Sequence, residues 1–134
     1  MYLPLEICSG RALYQDISLH MYGPFAPYFN AFLYKLFGVH LYSLIAAGTA
    51  AAAISGFLIY KIARLFLGVF FSTFTAITFL VVFAFGQYLR VGNYNFILPH
   101  NYSVVYGTVF ILAGLYFFSL SIIKKAVANS GSKF

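Results

Sequence analysis

Charged residues are scarce in this sequence. Only 2 of its 134 residues are Asp or Glu, 8 are Lys or Arg, and charged residues make up 7% of the chain. A soluble domain carries roughly 25% charged residues, so a surface facing water on every side is excluded. Cysteine is nearly absent as well. Cys8 stands alone, which excludes an intramolecular disulfide and a multi-cysteine zinc cluster. The opening MYLPLEICSG lacks the basic start and long apolar run of a signal peptide. No phosphate-binding loop, nucleophile elbow, zinc helix, internal repeat or low-complexity linker is found. The net charge of +6 comes from basic residues scattered between apolar runs. They form no basic face, so nucleic acid is not an expected partner.

What is abundant is hydrocarbon. Hydrophobic residues reach 63% and mean hydropathy is +0.90. A helix rises about 1.5 Å per residue, so about 20 residues cross the roughly 30 Å core of a bilayer. Three runs meet that length without any Asp, Glu, Lys or Arg up to their ends: residues 39–60, 69–89 and 103–123. The sequence therefore predicts an all-α fold, a polytopic membrane protein with short interfacial helices and about three transmembrane helices. It forms a single membrane domain over 1–134, with an outer juxtamembrane segment at 1–38 and a cytoplasmic tail at 124–134, whose end AVANSGSKF at 126–134 reads as frayed.

Orientation follows from the basic residues. Lys61 and Arg64 follow the first run, and Lys124, Lys125 and Lys133 follow the third. Placing all five on the cytoplasmic side leaves Arg11, Lys35, Arg90 and both acids, Glu6 and Asp16, outside. The segment FAPYFNAFLYKLF at 25–37 is too short to cross. It reads as an interfacial helix ending near Gly38, or alternatively as a short fourth span merged with the next. Gly48, Ala52 and Gly56 recur every four residues, a spacing that lets another helix come close in lipid. Gly107 and Gly114 lie seven apart on one face of the third run.

Polar residues gather in two places. One is the segment around Arg11, Gln15, Asp16 and His20, bracketed by Gly10 and the Gly23-Pro24 turn signal. The other is the loop RVGNYNFILPHNY at 90–102, with Arg90, Asn93, Asn95, His100 and Asn101. On one face of a membrane, the two could line a shared cavity whose carboxylate, guanidinium and imidazole groups suit a metal, a phosphate or a sugar. Plainer roles compete: Asp16 as a cap or a partner of Arg11, Arg90 as a lipid anchor, and the histidines as headgroup-level polar residues.

Three strings, GRALYQDI, YGPFAPYFNAFLYKLFG and IYKIARLFLG, resemble membrane glycosyltransferases of the GT-C superfamily. The likeness is to the dolichyl-phosphate-mannose protein mannosyltransferase and lipid A aminoarabinose transferase group. The matching residues are Gly10, Tyr14, Asp16, Pro24, Leu36, Phe37, Gly38, Lys61 and Arg64. Later, FILPHNYSVVYG resembles the stretch that opens a further span in that group. The resemblance covers nearly the whole chain. It implies transfer of a sugar from a polyprenyl-phosphate carrier to an acceptor on the non-cytoplasmic side. Asp16 would be the catalytic carboxylate, a general base accepting a proton from the acceptor hydroxyl, or would hold a divalent metal ion. Arg11 and Arg90 would hold the carrier phosphate, and Asn95 and His100 would line the sugar pocket. Gln15 stands where the group has a basic residue, and the group's first span and acidic pair are not found ahead of Gly10. The resemblance thus points to a fragment of a larger membrane enzyme, inactive alone, in the inner (plasma) membrane or, in a eukaryote, the endoplasmic reticulum. Its partners would be membrane lipid, the sugar donor and the rest of the enzyme. The alternative is a non-catalytic small membrane subunit packing on a larger partner through Gly48, Ala52 and Gly56.

Overall fold

The computed structural model describes residues 2–12, 23–85, 95–97 and 102–131. Every regular element among them is helical: α1 (Tyr2–Cys8), α2 (Phe25–Phe37), α3 (Leu41–Ala63), α4 (Val69–Thr78) continuing into a π-helical turn (Phe79–Ala84), and α5 (Tyr102–Gly131).

Helix α1 stops at Gly10, whose φ of +94° is open to glycine and strained for other residues. The Arg11 N–H donates back to the Glu6 carbonyl at 3.1 Å, and the Ser9 hydroxyl to the same carbonyl at 2.7 Å. Helix α2 tolerates Pro27 because the N–H groups of a first turn have no intrahelical acceptor. It ends at Gly38, with φ +84°. Three residues later α3 begins, so α2 and α3 are separate helices and the merged span is not formed. α1 lies on α2 through Ile7 and Ala31, with Leu3 and Cys8 beside them.

Helix α3 has 23 residues and is roughly 34 Å long at 1.5 Å per residue. Residues 64–68 then turn the chain. Arg64 Nη1 donates to the Leu67 carbonyl at 3.0 Å, and the Ser72 hydroxyl to the Gly68 carbonyl at 2.9 Å. Helix α4 starts there and packs back along α3.

Two helices are long and apolar enough to cross a membrane, Leu41–Ala63 and Tyr102–Ala126. The second expected run, residues 69–89, is described as far as Phe85. It forms a shorter apolar helix over Val69–Ala84. Its last part winds as a π-helix, with the Phe85 N–H donating to the Leu80 carbonyl at 3.1 Å. Helix α5 starts where the third run was expected to, but continues through Gly131 rather than fraying from 126. Lys124, Lys125 and Ala126 are good helix formers, and nothing before Gly131 breaks the turn.

The core sits where α3, α5 and the π-helical turn meet residues 95–97. Ala51, Ala52, Ala84, Phe96, Val105 and Tyr106 are buried there, with Ala26 of α2. The small residues at 48, 52 and 56 decide how close these pieces come. Ala52 is fully buried. A Cβ at Gly48 would stand 1.9 Å from the Phe96 carbonyl oxygen, and one at Gly56 would stand 3.1 Å from the Leu80 side chain. The face that the sequence offered to a separate partner is thus covered by the chain itself.

Candidate functional site

Of the five residues that the sequence proposes for a site, two are described. Asp16, Arg90 and His100 lie outside the described residues, as do His20 and most of the loop 90–102. Arg11 pairs with Glu6 at 2.7 Å. The guanidinium is more than half exposed and the carboxylate mostly covered. Glu6 is therefore not a freely solvated acid, and Arg11 has a partner without Asp16. Asn95 is half-buried, and its Oδ1 accepts the Ile97 N–H at 2.8 Å. This Asx turn folds residues 95–97 so that the Phe96 N–H reaches the Ala84 carbonyl at 3.2 Å. The Phe96 ring then sits edge-on to Phe79, with centroids 5.7 Å apart. Asn95 therefore shapes the loop first, and its carboxamide nitrogen is what remains for a ligand.

A polar centre that sequence reasoning did not single out lies between α2 and α5. The Tyr106 hydroxyl donates to Asn30 Oδ1 at 2.7 Å, across 76 positions of sequence. Both residues are buried, at 7% and 3% exposure. The signal was available: Asn30 is the lone amide within FAPYFNAFLYKLF. Tyr102, one turn before Tyr106, stacks obliquely on it with centroids 5.9 Å apart. Its hydroxyl is buried and has no hydrogen-bond partner among the described residues, and the same holds for Ser55. Tyr34 is also buried, and burial pushes its phenol above the ordinary value, with the neighbouring Cys8 adding to the rise.

Beside this centre runs an apolar groove of about 680 Å³ between α2, α3 and α5. Phe25 and Phe29 form one wall, alanines of α3 such as Ala46 and Ala50 another, and Tyr106 and Phe110 close the end. The aromatic rings interlock. Phe25 stacks on Phe29 at 5.5 Å, and Phe29 meets Tyr106 edge-on at 5.2 Å. Among the described residues, no three His, Cys, Asp or Glu side chains group to hold a metal ion. Asp16, to which the resemblance gives a divalent ion, lies outside the described residues.

No protein-family model matches the chain, and no curated protein and no solved structure matches it.

Proposed function

We propose that this chain is an integral membrane module of a polyprenyl-phosphate-sugar-dependent glycosyltransferase that acts on the non-cytoplasmic side. The observation that carries this reading is the order of α2 and α3. A short aromatic helix ends at Gly38, and an apolar helix of spanning length follows and closes on Lys61 and Arg64. That is the order the resemblance implies, a juxtamembrane helix and then a span with a basic end. In this reading Asp16 accepts the proton of the acceptor hydroxyl, Arg11 and Arg90 neutralise the carrier phosphate, and Asn95 and His100 contact the sugar. Further membrane helices complete the enzyme.

The test is sugar transfer from a labelled polyprenyl-phosphate donor in membranes that contain the chain. Transfer lost with Asp16→Asn supports the reading. Transfer unchanged by that substitution removes Asp16 from its role.

A second reading, a non-catalytic subunit on a larger membrane partner, is favoured by α5. A Cβ added at Gly107 or Gly114 would meet nothing within 4 Å, and Phe110, Ile111, Phe117 and Phe118 are exposed around them. Membranes in which the chain supports no transfer, but co-purifies with a larger protein that Gly114→Leu releases, would favour this reading over the first.

A further inference from the structure

Helix α5 carries rings at four-residue steps, Tyr102, Tyr106 and Phe110, and α2 carries Phe25 and Phe29 at the same step. Three rungs therefore face two. As the helices stand, Phe29 meets Tyr106 edge-on at 5.2 Å and Phe25 meets Phe110 at 5.1 Å. Among the described rings, Tyr102 meets only its own helix neighbour Tyr106. The hydrogen bonding repeats this imbalance. Asn30 Oδ1 accepts from the Tyr106 hydroxyl, while the Tyr102 hydroxyl, one turn earlier on α5, is buried without a partner. Buried polar groups are nearly always paired, so such an orphan calls for a physical reason. Tyr34, one turn after Asn30 on α2, is the neighbour of Tyr102. The two helices thus run antiparallel here, and Asn30 stands one turn short of the orphan. A step of α2 by one turn toward the start of α5 exchanges each contact for its like. Asn30 and Phe29 pass from Tyr106 to Tyr102. Phe25 passes from Phe110 to Tyr106, a ring that it already touches edge-on at 5.9 Å.

We propose that α2, carrying α1, moves between two registers on α5 one turn apart, with Asn30 accepting from Tyr106 in the register described above and from Tyr102 in the other. Steps of one turn between packed helices are an established form of two-state switching. The surroundings of α2 suit it. Toward α3, the helix borders an open apolar groove of about 680 Å³ rather than interlocked side chains. Toward α1, Ile7 packs on Ala31 and the Cys8 thiol donates to the Ala31 carbonyl at 3.4 Å, so the two helices travel together. At the joint, residues 38–40 take up the movement, and Gly38 has backbone conformations closed to other residues. A step of four residues carries α1, with its Glu6–Arg11 pair, about 6 Å along α5. The proposal rests neither on glycosyl transfer nor on the membrane reading.

The test is the distance between two spin labels on the full chain in phosphatidylcholine vesicles. Cys8→Ser removes the native thiol, and labelled cysteines replace Phe32 of α2 and Phe118 of α5, both exposed. Phe118 lies beyond the end toward which α2 steps, so the second register lengthens this distance by about 6 Å. The shorter distance is expected to dominate in this chain. Tyr106→Phe removes the donor of the first register and is expected to raise the ratio of long to short about tenfold, the factor that a hydrogen bond worth roughly 1.4 kcal/mol sets. Adding Tyr102→Phe to Tyr106→Phe is expected to return the ratio to its starting value, because neither register then has a donor for Asn30. Tyr102→Phe alone is expected to lower it. A label pair on Thr49 of α3, also exposed, and Phe118 is expected to keep one distance throughout. Circular dichroism checks that each variant keeps its helices, and Tyr102→Phe alone reads the proposal without touching the Asn30–Tyr106 bond. A single unchanged distance in Tyr106→Phe overturns the proposal. So does a long distance that persists when Tyr102→Phe is added, since the shift then owes nothing to that hydroxyl. Movement of the Thr49–Phe118 pair overturns it too, because the whole bundle and not α2 has then rearranged.

Discussion

Helices α3 and α5 are both long and apolar enough to cross a membrane, yet they are used in opposite ways. A third of the apolar window of α3 is buried within the chain, against 6% of that of α5. The difference follows from where the small residues meet backbone. At Gly48, α3 is approached so closely by the backbone of Phe96 and Ile97 that a side chain has no room, and at Gly56 the Leu80 side chain leaves space for a Cβ only if it shifts by a few tenths of an ångström. At Gly107 and Gly114, α5 has the same residue type and nothing beside it. In lipid, helices associate through close packing rather than through expulsion of apolar surface from water. A glycine with a neighbour is therefore part of the fold, and a glycine without one is a surface on which a further helix can pack.

The sharpest way to break this contrast is at Gly48. The atom that a new Cβ would meet is a backbone oxygen at 1.9 Å, which cannot swing aside as a side chain can. Gly48→Ala is expected to push residues 95–97 off α3 and to destabilise the chain by about 1–3 kcal/mol, the usual cost of overpacking. A cysteine placed at Ile97 should become more reactive to a water-soluble maleimide in that variant. Gly56→Ala is the internal control. Its Cβ meets only the end of Leu80 at 3.1–3.3 Å, so thermal unfolding in detergent should move far less. Equal effects at the two positions would show that helix propensity and not the close approach governs both.

Next in size is the buried hydrogen bond between Tyr106 and Asn30. Tyr106→Phe leaves Asn30 Oδ1 buried without its donor and should cost about 1–2 kcal/mol. Asn30→Leu in the Tyr106→Phe background should recover much of that loss, because replacing both partners by apolar groups leaves no orphan. A double-mutant cycle on thermal unfolding measures it. A coupling near zero would mean that the bond does not hold α2 against α5.

The helices themselves were legible in the sequence because their signals are local. Residues 25–37 emerge as a helix with the expected bounds, and the stop at Gly38 is a positive-φ glycine. Charge-free runs locate α3 and the start of α5. What was illegible is set by contacts distant in sequence. The small-residue face at 48, 52 and 56 was readable as a packing face, but not that residues 96–97 and Leu80 of the same chain would cover it. The π-helical turn at Phe79–Ala84 has no composition that marks it. It packs against the same face of α3, and its last carbonyl receives the Phe96 N–H. Of the candidate site, Arg11 and Asn95 could be followed into the structure. Neither position announced that its first partner would be local, Glu6 in one case and the Ile97 N–H in the other.

A smaller effect sharpens the comparison from the side of α5. With open space at Gly107 and Gly114, alanine there removes the conformational freedom of glycine without any clash. Each substitution should stabilise the isolated chain by about 0.5–1 kcal/mol, seen as a raised thermal midpoint in detergent. The sign is opposite to that at Gly48, although all three are helical glycines. If α5 packs on a further helix in the membrane, the same substitutions weaken that association while the isolated chain gains stability. Loss of stability in the isolated chain would show that α5 is already covered, and the contrast with α3 would fall.

The smallest expected effect concerns Arg11, and its smallness is what makes it informative. The ion pair with Glu6 is short, but the guanidinium is 57% exposed, and water and salt weaken such a pair to about 0–1 kcal/mol. Arg11→Gln should therefore leave the thermal midpoint almost unmoved, and added salt should shrink even that shift. Any effect on sugar transfer beyond this cannot come from folding. Transfer that falls at least tenfold in Arg11→Gln, corresponding to roughly 1.4 kcal/mol or more, with an unchanged midpoint, would mean that the guanidinium leaves Glu6 to meet the carrier phosphate. Transfer and stability that both stay put would reduce Arg11 to the surface partner of Glu6 near the end of α1.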